Sequence, residues 1–397
     1  MPHPTPFHER TAALCTSLRF KEWAGSYAVC AYDTYVDREY YAFRHTAGLL
    51  DVTPLYKYEV RGAGAADFLA HVMVRDVRRL ERGRVWYTCW CDDDGKVLDD
   101  GTVTHLRRDH YRVTSATPNL AWLRTQARGF DVTVEDVTRA LCALAIQGPL
   151  ARAMLQSVCA TDLSGLKFFR AAGATIEGVG EALVTRTGYT GDLGFEIWVR
   201  NEQALPLWDA LLAAGRPHGL IPAGLDALDV VRVEAGFVLL GVDYFSARDA
   251  RIPAQTSTPS EIGLGWMVDL DRERFVGQHA LAAEAARGPA WALVGLEIDW
   301  EEFETLHDRV GLPPHLAVAT CREGVPIHLG GRQVGQATSR TWSPTLKRYL
   351  ALASVHAAHG QVGTTLQIEV TVEYVRHRAS ARVVPMPFFP PTRMRKG

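Results

Sequence analysis

At 397 residues the chain has material for two or three domains, and 47% apolar against 22% charged residues lets it bury ordinary globular cores. A net charge of -2 argues against the basic face that nucleic-acid binding requires, and the basic end TRMRKG is short enough to be a solvated terminus. No apolar run approaches membrane length and MPHPTPFHER lacks the basic-then-apolar order of a secretory signal, so a soluble cytoplasmic protein without nucleic-acid or membrane partners is expected.

The seven cysteines are scattered and form no CxxC pair. Cys89-Trp90-Cys91 puts two thiols on one face of a strand, with no second pair to complete a zinc site. Free buried thiols in a reducing compartment, and no metal, are the expectation.

In chain order, Tyr56–Val60 alternates like a strand. AADFLAHVMV (65–74) then sets Phe68, Leu69, Val72 and Met73 on one helical face. Asp94-Gly95 is a turn dipeptide between strand-like arms over 85–91 and 96–106. Strand-like pieces over 110–115 and 131–134 flank a helix over 121–127. Residues 52–136 therefore read as a compact α+β unit. Next, RTGYTGDLGFEIWV (186–199) combines a glycine-rich turn with a strand in which Phe195, Ile197 and Val199 alternate with Glu196 and Trp198. A carboxylate inside such a strand is the first candidate for a ligand contact. Helices follow over 203–214, stopping at Gly215, over 223–236, and after a turn within 274–285. From Trp291 onward short strands with glycine punctuation predict a β-barrel or sandwich without helices.

Four stretches carry a family resemblance: GKVLDDGTV (95–103), IQGP (146–149), RTGYTGDLGFEI (186–197) and RVEAG (232–236), with AGLLDV, LGWMV, FVGQHAL and TWSPTLKRYLALA between and after them. In this order the sequence resembles the glycine cleavage T-protein (aminomethyltransferase) superfamily from end to end. That superfamily includes folate-dependent demethylases and folate-binding domains of oxidising enzymes. The resemblance implies an α+β, three-domain cloverleaf around a central folate channel with a C-terminal β-barrel. Its parts would be a discontinuous folate-binding domain (1–51 and 137–285), an inserted α+β domain (52–136) and the barrel domain (286–397).

The resemblance also implies roles. Glu196 would hold the pterin of tetrahydrofolate, since a carboxylate accepts two adjacent N–H donors at once, and the glycines before it would let the backbone approach a flat ring. Tyr189 would be a wall residue of that site, and Trp266 would pack near the folate. Asp99 and Asp100 point to opposite faces of one strand. The family match selects Asp100 as the catalytic acid, beside the reactive nitrogens, and leaves Asp99 as a solvated acid. Arg232 would be a structural ion-pair partner.

Three positions depart from the glycine cleavage members: Leu228 replaces a folate-holding arginine, Ser115 an asparagine and Arg393 a tyrosine near the C-terminus. Ser115 and Arg393 stand as candidate cofactor contacts by position. These departures point to a small N-, O- or S-methylated donor whose one-carbon group passes to N5 of tetrahydrofolate, a demethylase. Glycine cleavage aminomethyl transfer with a lipoyl carrier protein is the alternative enzyme reading, and a non-catalytic folate-binding protein the alternative from another class. The folate-binding assembly factors on this fold carry a K-G-C-type cysteine motif that is absent here, and the retained Asp100 favours an enzyme.

Overall fold

Three β-sheets and a small hairpin organise the computed structural model, which describes residues 1–317 and 319–396. The alternation around Glu196 places one strand, Gly194–Arg200, inside a six-stranded sheet. It pairs antiparallel with Leu141–Gln147 on one side and Gly180–Thr185 on the other. Ala171–Ile176 lies at one edge; Ala47–Asp51 and the parallel strand Leu220–Pro222 complete the other. Phe195, Ile197 and Val199 face a core with Leu144, Ile146, Leu207, Trp208 and Leu211, the last three from helix Ala204–Gly215. Burying side chains of the Phe195 and Ile197 type stabilises the sheet by roughly 1.5–3 kcal/mol each. The other face carries Glu196 and Trp198, and Trp198 packs with residues of helices Asp37–His45 and Leu225–Glu234.

Residues 56–136 supply a second, five-stranded antiparallel sheet in the order Val85–Cys91, Val97–Arg107, His110–Ser115, Tyr56–Arg61, Thr133–Asp136. Gly95 closes its hairpin with φ +72°, a conformation glycine adopts without a Cβ clash. One face is covered by helices Ala65–Val72 and Leu120–Gln126 through Phe68, Leu69, Val72 and Leu123. The other face looks toward Glu196.

The C-terminal strands close into a six-stranded barrel: Trp291–Ile298, Arg348–His356, Arg332–Ser343, Val325–Leu329, Thr365–Val372 and Val375–Val384. The expected absence of helices there is corrected by Trp300–Asp308. Its signal was in the sequence: Asp299 caps it by accepting the Glu302 N–H at 2.9 Å, and Phe303, Leu306 and His307 fall at helical spacing and are buried. The final segment crosses back, with the Phe389 N–H on the Glu234 carbonyl at 2.8 Å.

Among the described residues no helix is long and apolar enough to cross a membrane, no His/Cys/Asp/Glu cluster could hold a metal ion, and every cysteine is free.

Candidate active site

Strand alternation and hairpin register bring the site together. Cys89 lies opposite Asp100 and Tyr87 opposite Thr102, so Tyr87, Cys89, Asp100, Thr102 and Thr104 share one face. Arg112 and Thr114 extend it on the neighbouring strand, Arg112 directly opposite Thr104. Across from them stand Leu183, Thr185, Glu196 and Trp198 of the six-stranded sheet, with Thr187 from the turn that follows; with Val85, Thr102, Thr104, Arg112 and Thr114 they line one cavity. It is narrow, about 10 Å³, the room of one water. A bicyclic ring enters only if the walls part, and because they belong to separate sheets no strand need break.

Asp100 sits four residues up its strand from Thr104, about 13 Å away at the rise of an extended chain. Its Oδ2 accepts the Tyr87 hydroxyl at 2.7 Å and its Oδ1 the Tyr244 hydroxyl. Burial raises the pKa of Asp100, and the hydrogen bonds from Tyr244 and Tyr87 pull it back. Burial and then the charge of Asp100 hold both phenols well above their ordinary range, so they remain donors. Sequence reasoning missed both tyrosines. Tyr87 was legible in WYTCWC, two residues before Cys89 on the same face; Tyr244 had no local signal, arriving from 144 residues away.

Asp99 is not solvated, which corrects the expectation. It is fully buried on the opposite face, where it accepts the Asp100 N–H at 2.8 Å, the Thr117 N–H at 2.9 Å and the Asn119 amide at 2.8 Å. Burial pushes its pKa up to about 6, the Asp100 charge adds to this, and the Thr117 bonds oppose it. Asp99 anchors the 116–119 turn behind the hairpin. Asp99→Ala should leave several buried donors unpaired and lower stability by about 2–3 kcal/mol, read as a drop in urea midpoint at unchanged m-value. An unchanged midpoint would remove this anchoring role.

Glu196 is half-buried in the cavity wall. Burial pushes its pKa up to about 7, with the Thr187 and Thr185 hydroxyls pulling the other way. The glycines before it have a use other than admitting a ring. A Cβ on Gly188 or Gly194 would meet the Gln147 side chain at 2.0 or 2.1 Å. That amide donates to the Thr187 carbonyl at 3.1 Å and accepts the Thr190 hydroxyl at 2.9 Å. Gln147, from IQGP, therefore packs the turn that positions Glu196.

The remaining candidates divide. Tyr189 stacks its ring on Phe237 at 5.5 Å and its hydroxyl donates to the Val238 carbonyl. Trp266 is 68% exposed and stands outside the cavity in a groove with Arg75 and Trp86; the Arg75 guanidinium lies 4.0 Å from the Trp86 ring centre and 5.7 Å from that of Trp266. Ser115 does not face the cavity. The pleat turns it to the face opposite Thr114, and its hydroxyl donates to the Thr117 carbonyl at 2.7 Å. Arg393 does not reach the cavity wall either, since its guanidinium grips Asp192 at 3.0 and 2.6 Å and the Arg44 carbonyl at 3.0 Å. It ties down the C-terminal segment. Arg232 is the expected structural group, joined to Asp229 at 2.6 Å, to Asp243 and to Ser339 at 2.7 Å. Leu228 lies buried in the core shared with Trp198 and Tyr189.

Fold and site together define an α+β protein with a C-terminal barrel and a carboxylate-lined cavity between two sheets. Residues 7–272 match the GCVT N-terminal domain and residues 308–390 the glycine cleavage T-protein C-terminal barrel domain. The aminomethyltransferase of Bacillus pumilus (strain SAFR-032) is 33% identical over 359 residues, 89% of this chain and 90% of that one. That of Geobacillus kaustophilus (strain HTA426) is 36% identical over 360 residues, again 89% and 90%. The crystal structure of the glycine cleavage system aminomethyltransferase T from Bartonella henselae superposes with a TM-score of 0.83 at 25% identity, covering 98% of this chain and 99% of that one. The chain belongs to the glycine cleavage T-protein family of one-carbon transferases.

Proposed function

We propose that the chain transfers a one-carbon unit to tetrahydrofolate and that aminomethyl transfer is the reaction. The observation that carries the transfer chemistry is that Asp100, held by two phenols, shares one face of the hairpin with Thr102 and Thr104, which line the cavity opposite Glu196. The aminomethyl reading is supported by the names of the relatives, matched over nine-tenths of their length, and it displaces the demethylase expected from the sequence.

The donor set suits the cofactor. Glu196 would accept pterin N–H donors, and the threonine hydroxyls around it offer further polar partners. Tetrahydrofolate, when bound, supplies a nucleophilic N5. Asp100 would orient that end, take up the proton released there and stabilise positive charge on the carbon in transit. Tyr87 and Tyr244 hold Asp100 in place through both oxygens.

A demethylase is the second reading, favoured by one observation, the two phenol donors that converge on Asp100, and by the arginine that the family resemblance would place where Leu228 stands. The products separate the two. Purified chain and tetrahydrofolate mixed with aminomethylated lipoyl carrier should give 5,10-methylene-tetrahydrofolate and ammonia by mass detection. A panel of N-, O- and S-methylated donors giving 5-methyl-tetrahydrofolate instead would install the demethylase. No folate product from either would overturn the transfer reading.

A further inference from the structure

Arg112 enters the cavity as a cation with an unassigned face. Its Nε and Nη2 both turn to Glu59 Oε1, at 3.1 and 2.7 Å. Glu59 is 4% exposed and is gripped in turn by Arg61 at 2.9 Å and by His110. A planar guanidinium held at two nitrogens by an immobilised carboxylate is fixed in direction. Nη1 has no acceptor among the described residues, on a side chain that lines the same cavity as Glu196. The guanidinium lies 5.9 Å from the ring centre of Trp198, another cavity wall. Arg112 and Glu196 form no ion pair with each other. The cavity thus offers an acceptor-only group and a donor-only group to whatever sits between them.

The pyrimidine edge of a reduced pterin carries the complementary order. A 2-amino group and N3–H are donors, and the adjacent 4-carbonyl oxygen is an acceptor. Resting on the tetrahydrofolate reading above, we propose that Arg112 is a specificity-determining residue whose Nη1 donates to the 4-carbonyl oxygen while Glu196 accepts from the neighbouring N–H donors. Glu59 is then a positioning residue that aims the guanidinium. A 4-amino group in place of the carbonyl would set donor against donor at Arg112.

The test is calorimetric titration of the full chain with tetrahydrofolate and with its 4-amino-4-deoxy analogue. Arg112→Met should weaken tetrahydrofolate binding about tenfold or more and analogue binding less than about threefold, so that the preference for the 4-oxo form shrinks. Glu196→Gln should weaken tetrahydrofolate binding more than analogue binding, because the 4-amino ring has no N3–H to offer the carboxylate, so that variant reads the Glu196 contact and the Arg112 variant reads the 4-position. If Arg112→Met does not fold, Arg112→Lys reads the same ratio, since a lysine keeps the charge but not the fixed fork. A folded Arg112 variant with an unchanged ratio overturns the assignment and leaves Arg112 as the ion-pair partner of Glu59. Wild-type protein that binds neither ligand overturns the tetrahydrofolate reading itself, and this inference with it.

Discussion

Asp100→Asn should slow single-turnover transfer by a factor of about a hundred or more, the typical scale for a group with acid–base and electrostatic roles. The substitution conserves volume but removes the charge and the ability to take a proton. It also turns one of two acceptor oxygens into a donor. Tyr87 and Tyr244 now place a hydroxyl hydrogen on each oxygen of Asp100. In the variant one phenol must reverse and accept, so the acid and the two donors beside it are disturbed as a unit. Affinity for tetrahydrofolate should change by less than about threefold, because Glu196 and not Asp100 makes the main pterin contact in the proposed arrangement. The measurement is quenched single-turnover product formation together with calorimetric affinity for the same variant. A turnover within a few-fold of wild type would take catalysis away from Asp100. Lost affinity with normal turnover at saturation would reassign it to binding.

What the sequence made legible was what local periodicity controls. The alternation through Phe195, Ile197 and Val199 set Glu196 on the face away from the core, and the pairing of Asp99 with Asp100 forced one of them away from the cavity. What stayed hidden came from distant contacts. Nothing near Tyr244 announces Asp100, because the segment after helix Leu225–Glu234 brings it there, and nothing near Arg112 announces Glu196, because the cavity they share depends on how two sheets face each other. Asp99 was misjudged for the same reason. An acid near a hairpin turn is usually solvated, but the turn at Thr117 and Asn119 folds behind this one and supplies its donors. Ser115 and Arg393 are cofactor candidates only by their position in the family resemblance. Position along the chain does not fix direction: the pleat sends Ser115 away from the cavity, and the carboxylate of Asp192 captures Arg393.

Tetrahydrofolate affinity should rise with pH up to about 7 and level off above it, through Glu196. Burial holds this carboxyl at about 7, against an ordinary value of about 4.3. The sign runs in two opposite directions. In the folded, unliganded chain Glu196 keeps its proton between these two values while the unfolded chain has lost its own. The stabilisation from holding that proton is full below the ordinary value and is lost as pH rises through about 7. Binding reverses the preference, because only the ionised carboxylate accepts two pterin N–H donors. Well below pH 7 the ligand must drive a proton off, so affinity should fall by about tenfold per pH unit and calorimetry in buffers of different ionisation enthalpy should find close to one proton released. Glu196→Gln has no proton to lose. It should flatten the pH dependence of both stability and binding, and it should weaken binding at pH 8 by about 1–3 kcal/mol, since an amide meets one of the two pterin donors with a donor of its own. Equal affinity of variant and wild type at pH 8 would remove Glu196 from the pterin contact. Weakened binding in the variant alongside a pH-independent wild type would keep the contact but show that ligand binding does not ionise the group.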